Sequence, residues 1–339
     1  MRRGAPQFWE QPAGLMADLL APIGAAWSAA GRLHRALARP YCAPIPVICV
    51  GNLVIGGAGK TPVAMALGAW LAERGVRPHF ASRGYRGRLA GPVLVDPSRH
   101  SAAAVGDEAL LLARCLPCWV ARDRAAGVRA ARAAGAEAVL LDDGLQNPAV
   151  AKTLSLLVVD AAYRFGNGRV IPAGPLRESL GSGIARADAV VPVGGSGEAG
   201  GGELSGIFGD RPVLPALLAP VAGERFAGLR FSAFAGIGRP EKFFATLRRL
   251  GAELIEARTF PDHHPFRASE LAALRRGAER AHARLVTTAK DIVRLPPAER
   301  RGIEVLEVEI RWPHPEPLVR LLGPILQARH GDADFAIGG

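Results

Sequence analysis

A glycine-rich turn between an apolar run and a helical stretch constrains this chain more than any other feature. Val47–Val50 is a short apolar strand that ends at Gly51-Asn52, and Gly56-Gly57-Ala58-Gly59-Lys60-Thr61 then leads into a predicted helix from Pro62 to Arg74. A strand, a glycine turn, Lys-Thr and a helix are the context of a phosphate-binding loop. Glycines let backbone N–H groups curl around phosphate oxygens, and the helix start adds positive potential. On this reading Lys60 neutralises β- and γ-phosphates and Thr61 offers its hydroxyl to Mg²⁺, so the expected ligand is ATP with Mg²⁺. The usual first glycine of the pattern is replaced by Val54, which leaves a GGxGKT loop. Lysine is scarce here (Lys60, Lys152, Lys242 and Lys290 only), which sharpens the assignment of Lys60.

Alternation of strands and helices continues on both sides of the loop. Apolar runs recur at His79–Ala81, Val93–Val95, Trp119–Val120, Ala138–Leu141, Leu154–Asp160 and Ala189–Val193. Repeated βα units of this kind predict an α/β fold, a P-loop NTPase-like, mostly parallel sheet covered by helices on both faces. Gly194–Gly202 reads as a surface loop. Beyond it the alternation restarts with Phe231–Ala235, a helix over 240–250, Glu253–Phe260, a helix over 268–283, and Leu285–Thr288. The expected division is an N-terminal helical segment (1–40), a nucleotide-binding domain (41–205), a smaller α/β/α domain (206–327) and a frayed tail (328–339).

Acidic partners for the loop are present. Ala138–Leu141 ends in Asp142-Asp143-Gly144, which places two carboxylates at a strand end where one completes a Mg²⁺ shell and the other orients water or substrate. Gly106-Asp107-Glu108 opens a helical stretch, so Asp107 is either a helix cap or a general base. His263 and His264 follow a strand of the second domain, and an imidazole there can help activate a hydroxyl. Four cysteines in a chain of 339 residues form no disulfide framework, and Cys115-Leu-Pro-Cys118 lacks further zinc ligands, so a reduced buried pair is expected.

The N-terminal segment carries no pattern of a secretory signal. Leu15, Leu19, Ile23 and Trp27 recur at helical spacing, followed by Arg32, Arg35 and Arg39. Asp18 and Pro22 interrupt the run, which is too short to span a bilayer. The residues alone allow either a helix in a membrane interface or a helical hairpin packed on the domain. A net charge of +11, nearly all arginine, favours anionic partners. Aromatics are 6% and the arginines are dispersed, which argues against a nucleic-acid-binding module.

Taken together these segments resemble the tetraacyldisaccharide 4'-kinase family of lipid A biosynthesis in Gram-negative bacteria. The match runs in order through Gly51-Asn52 and the GGxGKTP loop, Ser82–Gly87, Gly106–Glu108, Asp142–Asn147 and Gly166–Arg169. It continues through Pro172–Glu178, Ala235–Gly238, Pro240, Phe243-Phe244, Phe260–His264 and Thr287–Asp291. The resemblance implies ATP-dependent phosphorylation of the 4'-hydroxyl of a tetraacylated glucosamine disaccharide 1-phosphate at the inner membrane, by two lobes that close over the nucleotide. It implies phosphate binding by Gly56, Gly57, Ala58, Gly59, Lys60 and Thr61, and metal binding by Thr61, Asp142 and Asp143. It also implies catalysis by Asp107 with His263 and Lys60, and substrate contacts from Arg83, Arg124, Gln146 and Asn167. The N-terminal helix becomes an anchor on the anionic cytoplasmic face of the inner membrane, with no protein partner or nucleic acid required. Leu145, Asn147 and Ala289 stand where the family often has Phe, His and Glu. The alternative is a regulatory or maturation NTPase of the GGxGKT class acting on a protein partner.

Overall fold

The structure, a computed structural model, describes residues 6–194 and 205–331. The expected loop at Gly194–Gly202 lies outside the described residues beyond Gly194, as does the tail from residue 332 onward.

The chain opens with α1 (Leu15–Leu37), then β1 (Val47–Gly51), α2 (Lys60–Glu73), β2 (Pro78–Ser82) and β3 (Val93–Leu94). Two short helices follow, α3 (Ala102–Val105) and α4 (Asp107–Ala113), with β4 (Cys118–Val120), α5 (Arg124–Ala133), β5 (Ala138–Asp142) and β6 (Leu154–Asp160). Next come α6 (Leu180–Ile184), β7 (Ala189–Gly194), α7 (Ser205–Phe208) and β8 (Ala216–Pro220). The second sheet brings β9 (Arg230–Ala235), α8 (Pro240–Arg249), β10 (Glu253–Thr259), α9 (Ala268–Arg280), β11 (Arg284–Thr288), α10 (Ala289–Ile292) and β12 (Ile303–Leu306). The chain then closes with β13 (Val308–Arg311) and α11 (Glu316–Gly331).

Nine strands form one sheet in the order β13-β8-β7-β6-β1-β5-β2-β4-β3, parallel except for β3 and β13 at its edges. Every residue of β1, β2, β5, β6 and β7 is buried, which is why these strands read as unbroken apolar runs. Strand β1 lies between β6 and β5. The chain runs from β1 to β2 on one side and later crosses from β5 past β1 to β6 on the other, so the strand order reverses there. A crevice opens at the carboxyl ends of the strands at such a reversal.

A four-stranded parallel sheet, β10-β9-β11-β12, forms the second lobe. Alternate residues of β9 face opposite sides: Phe231, Ala233 and Ala235 join Phe243, Phe244 and Leu247 of α8, while Phe234 packs with Phe266, Leu271 and Leu274 beside α9. The expected domain boundary at 205/206 is corrected by the sheet pairing. Strand β8 continues the first sheet beside β7, and β13 returns to pair with β8, so the second sheet is bracketed between them. The open edge of β7 supplies the hydrogen bonds that recruit β8. The last helix runs on through Gly331, past the expected end of order near 327.

The N-terminal segment is one helix rather than a hairpin, with Pro22 inside it. Small residues Ala17, Gly24 and Ser28 face the body, whereas Leu15, Leu19, Ile23, Trp27, Leu33 and Leu37 are 56–78% exposed. Asp18 pairs with Arg169 at 2.8 Å, the Trp27 indole donates to the Arg177 carbonyl, and Arg35 pairs with Glu178 at 3.3 Å. Among the described residues no helix is long and apolar enough to cross a membrane. Close docking depends on Gly24, because a Cβ there meets the Val170 carbonyl oxygen at 2.8 Å. Gly24→Val should therefore lift the helix at a cost of about 1–3 kcal/mol. Limited proteolysis should cut faster near Arg32 and Arg35, and an unchanged cleavage rate and melting temperature would contradict the docked position.

Candidate active site

The loop leaves β1 at Gly51 and turns back over its end. Asn52, fully buried, donates from its amide to the Val54 carbonyl at 2.9 Å and accepts from Lys60 Nζ at 3.1 Å. Val54, the departure from the usual glycine, is buried and bridges to Leu176, and the Ile55 amide donates to the Pro175 carbonyl. The loop is thus tied to the 175–177 segment, which accounts for an apolar residue at 54. Gly56 and Gly59 have φ of +116° and +85°, conformations that L side chains rarely adopt, and nothing lies within 4 Å of a Cβ built at Gly56 or Gly57. The open side of the loop has room for phosphate oxygens.

Beside the loop, Thr61 Oγ1 donates to Asp142 Oδ2 at 3.0 Å, and Asp142 Oδ1 is buried without a partner. Burial, then the charges of Glu108 and Asp143, push the Asp142 carboxyl up to about 7 against the pull of Lys60 and the Thr61 hydrogen bond. An orphaned buried carboxylate oxygen next to a hydroxyl is an all-oxygen donor set suited to Mg²⁺, which takes few protein ligands and completes its shell with phosphates and water. Asp143, at φ +57°, turns away to face Arg177, whose Nη1 lies 2.8 and 2.9 Å from its two oxygens, and Lys60 at 3.8 Å. Burial opposes ionisation of Asp143, but Lys60 and Arg177 outweigh it and hold the carboxyl below its usual range.

The second lobe faces this loop across the cleft. Asp107 is the first residue of α4, and its helix is capped by Gly106, so the capping expectation for Asp107 is corrected. Its Oδ2 lies 2.8 Å from His263 Nδ1, on the loop after β10, and 2.6 Å from Arg294 Nε. His263 itself has φ +58°, an uncommon conformation for a residue with a Cβ and one found at functional sites. Its ring stands edge-on to Tyr85 with centroids 5.5 Å apart, and its Nε2 is 3.5 Å from Lys290 Nζ. Lys290 pairs with Glu108 at 3.2 Å. On the other flank, Asp160 at the end of β6 receives Arg239 and Lys242 of the second lobe, each at 2.8 Å. Between these flanks a Cβ built at Gly238 lies 4.0 Å from the Gly57 amide nitrogen, so the Gly236–Gly238 turn sits directly over the phosphate loop.

The structure brings Lys60, Thr61, Asp142, Asp143, Asp107 and His263 to this cleft and disperses the remaining expected residues. Arg83 is exposed just past β2 and makes no hydrogen bond or ion pair among the described residues. Arg124 points inward, donating to the carbonyls of Ala81, Asp142 and Asp143 at 2.9–3.2 Å. Gln146 bridges the Asn52 carbonyl and Glu178, and Asn167 ties the Phe8 and Ala173 carbonyls. His264 stacks on Phe260 and contacts Glu270 instead of the cleft. Cys118 is buried but Cys115 is exposed, so the expected buried pair is half correct; both are free.

Residue reasoning assigned no role to Asn52, Arg177, Asp160, Lys290 or Arg294. Asn52 and Arg177 sit in quoted motifs, which was a signal of importance without a partner. Lys290 likewise lies in the quoted Thr287–Asp291 segment, whereas Asp160 and Arg294 are brought in by lobe contacts that no local pattern carries.

Phosphates held on backbone amides beside a lysine, opposite a carboxylate–imidazole pair able to take a proton, form the chemistry of P-loop phosphotransferases. The chain belongs to the tetraacyldisaccharide-1-P 4'-kinase family, whose model matches residues 16–327. It is 53% identical to a tetraacyldisaccharide 4'-kinase of Rhodospirillum centenum over 97% of this chain and 99% of that one. A relative of the same description from Paramagnetospirillum magneticum is 50% identical over 95% and 98% of the two chains. Among solved structures, the "apo" form of LpxK from Aquifex aeolicus in complex with ATP superposes with a TM-score of 0.74 at 25% identity, covering 92% of this chain and all of that one. A regulatory NTPase of the GGxGKT class finds no support in these relatives.

The contacts of Arg124 predict a structural phenotype. Arg124→Ala leaves three buried carbonyl partners without their donor, a loss of about 2–4 kcal/mol. Thermal denaturation should show a melting temperature lower by roughly 5–15 °C. A normal melting temperature with a raised KM for the acceptor would instead make Arg124 a substrate contact.

Proposed function

We propose that the chain transfers the γ-phosphoryl group of ATP to the 4'-hydroxyl of a tetraacylated glucosamine disaccharide 1-phosphate, and does so on an anionic membrane surface. The observation that carries this reading is the Asp107–His263 pair, 2.8 Å apart across the cleft, with Asp107 on the lobe of the phosphate loop and His263 on the lobe that faces it. A hydroxyl acceptor needs a group to take its proton, and a hydrolytic switch does not need one held in place by a second lobe.

In this reading the loop amides from Gly56 to Thr61 and the Lys60 ammonium hold the β- and γ-phosphates and neutralise their charge. Thr61 and Asp142 hold Mg²⁺, which supplies further charge neutralisation on the phosphate oxygens when bound. Asp107, kept oriented by His263, accepts the proton of the 4'-hydroxyl as its oxygen bonds to the γ-phosphorus and the bond to the ADP oxygen breaks. Burial raises the Asp107 carboxyl, yet the His263 hydrogen bond and the charges of Lys290 and Arg294 hold it well below the usual carboxylate range, so it stays ionised at neutral pH. Arg177 holds Asp143 beside Lys60, which keeps the lysine's charge directed at the loop. Of the proposed acceptor contacts, the unpaired Arg83 is best placed to meet an anionic group, with Asn167, Gln146 and Arg124 shaping the surroundings.

The acyl chains fit the same picture. An apolar hollow of about 450 Å³ lies between α1 and the Ile171-Pro172 turn, lined by Ile23, Ala26, Trp27 and Ala30. Exposed leucines of α1 enter the acyl boundary of the inner membrane's cytoplasmic leaflet while Arg32 and Arg39 meet anionic headgroups, so the protein is peripheral.

Incubation with ATP, Mg²⁺ and an acylated disaccharide 1-phosphate should add one phosphate by mass, and Lys60→Ala should abolish the transfer while the protein still folds. ATP turnover indifferent to the acceptor would sink the proposal. Removal of residues 1–39 should release the protein from vesicles containing anionic lipid in a flotation assay; continued binding would move the anchor elsewhere.

A further inference from the structure

Arg294 stands on the turn after α10 with its side chain 4% exposed. Its Nε donates to Asp107 Oδ2 at 2.6 Å, and its Nη1 donates to the Gly236 carbonyl at 2.7 Å and to Asp291 Oδ1 at 2.8 Å. Asp291 is fully buried and is fixed in turn by the Thr288 hydroxyl at 2.7 Å and the Gly236 amide at 3.1 Å. The guanidinium is therefore anchored at one end to the second lobe's own frame and aims its other end at a carboxylate of the first lobe. Among the described residues Asp107 Oδ1 accepts only the neighbouring Glu108 amide, so the side-chain partners that set the carboxylate's direction, His263 and Arg294, both come from the second lobe.

We propose that Arg294 is a positioning residue for proton transfer: with His263 it grips Asp107 when the two lobes meet, so that the carboxylate is aimed only in the closed enzyme. The inference rests on Asp107 being the proton acceptor. A planar fork suits this task because it fixes direction as well as charge, which an ammonium on a flexible stem does not. The titratable and charged groups facing Asp107 are His263, Arg294 and Lys290, with Glu108 on its own helix and Asp262 and Asp291 behind the cations. Removing a guanidinium at 2.6 Å raises a carboxyl by about one unit or more. Asp107 lies so far below the usual carboxylate range that it stays ionised above pH 5 after such a rise, so the loss reads in kcat, through a misdirected carboxylate, and leaves the acid limb in place.

The test compares Arg294→Lys, Arg294→Met and Asp291→Asn with Asp107→Asn in the full-length protein, measuring kcat, KM for ATP, kcat/KM from pH 5 to 9, and thermal melting. Arg294→Met should lower kcat about a hundredfold, keep KM for ATP within about twofold, and leave the shape of the profile above pH 5 unchanged. Arg294→Lys keeps the charge and loses the fork, so kcat should fall about tenfold, a partial rescue relative to Arg294→Met. Asp291→Asn loosens the far anchor without touching Asp107 and should lower kcat several-fold. A folded Arg294→Met with the wild-type kcat overturns the proposal. If that variant does not fold, wild-type kcat in Arg294→Lys overturns it. Near-normal activity of Asp107→Asn removes Asp107 as proton acceptor altogether, whereas a dead Asp107→Asn with wild-type kcat in the Arg294 variants defeats only the role of Arg294.

Discussion

One buried carboxylate, Asp107, joins the two lobes at the place where chemistry is proposed to occur. Two sheets present the carboxyl ends of their strands to each other, and Asp107 on the first receives His263 and Arg294 from the second. Taking these charges out of water is costly, and only the mutual pairing of carboxylate, guanidinium and imidazole offsets it. The Asp160 contacts with Arg239 and Lys242 fasten the opposite flank. Between the two fastenings the Gly236–Gly238 turn comes to rest over the phosphate loop, where a Cβ at 238 would lie 4.0 Å from the Gly57 amide nitrogen.

The same economy of contacts links the N-terminal helix to the loop. Arg35 of α1 pairs with Glu178, Glu178 accepts from Gln146, Gln146 donates to the Asn52 carbonyl, and Asn52 accepts from Lys60. A second line runs from the Trp27 indole to the Arg177 carbonyl and from the Arg177 guanidinium to Asp143 beside Lys60. Glu178 is the hub of the first line, buried and also paired with Arg186. The segment from Leu176 to Glu178 thus seats both the helix proposed to meet lipid and the lysine proposed to meet phosphate, which explains a buried glutamate beside a half-buried arginine there.

Much of this was legible in the residues. The loop could be placed because its conformation needs glycines with positive φ, and those leave a local mark at Gly56 and Gly59. The central strands were legible because burial on both faces leaves unbroken apolar runs. Edge strands were harder: β8 and β13 are short and partly exposed, and their membership in the large sheet follows from pairing across the chain, so the domain boundary was misplaced. Asp107 was ambiguous between cap and base because a carboxylate at a helix start fits both. Arg124 and Gln146 look like free polar side chains in sequence, yet both are spent on backbone carbonyls that only the folded chain brings within reach.

The sequence by itself determined the phosphate loop, the parallel α/β architecture and the family, because each depends on residue types at fixed local spacing. It also determined that the N-terminal helix has an apolar face, since helical periodicity puts Leu15, Leu19, Ile23 and Trp27 on one stripe. Tertiary structure decided which polar groups meet: His263 and Arg294 on Asp107, Arg177 on Asp143, and Arg239 with Lys242 on Asp160. These pairs are separated by up to 187 residues. Electrostatic partnership at such separation depends on how two lobes are oriented and leaves no local pattern, so it could be seen only once the chain was folded.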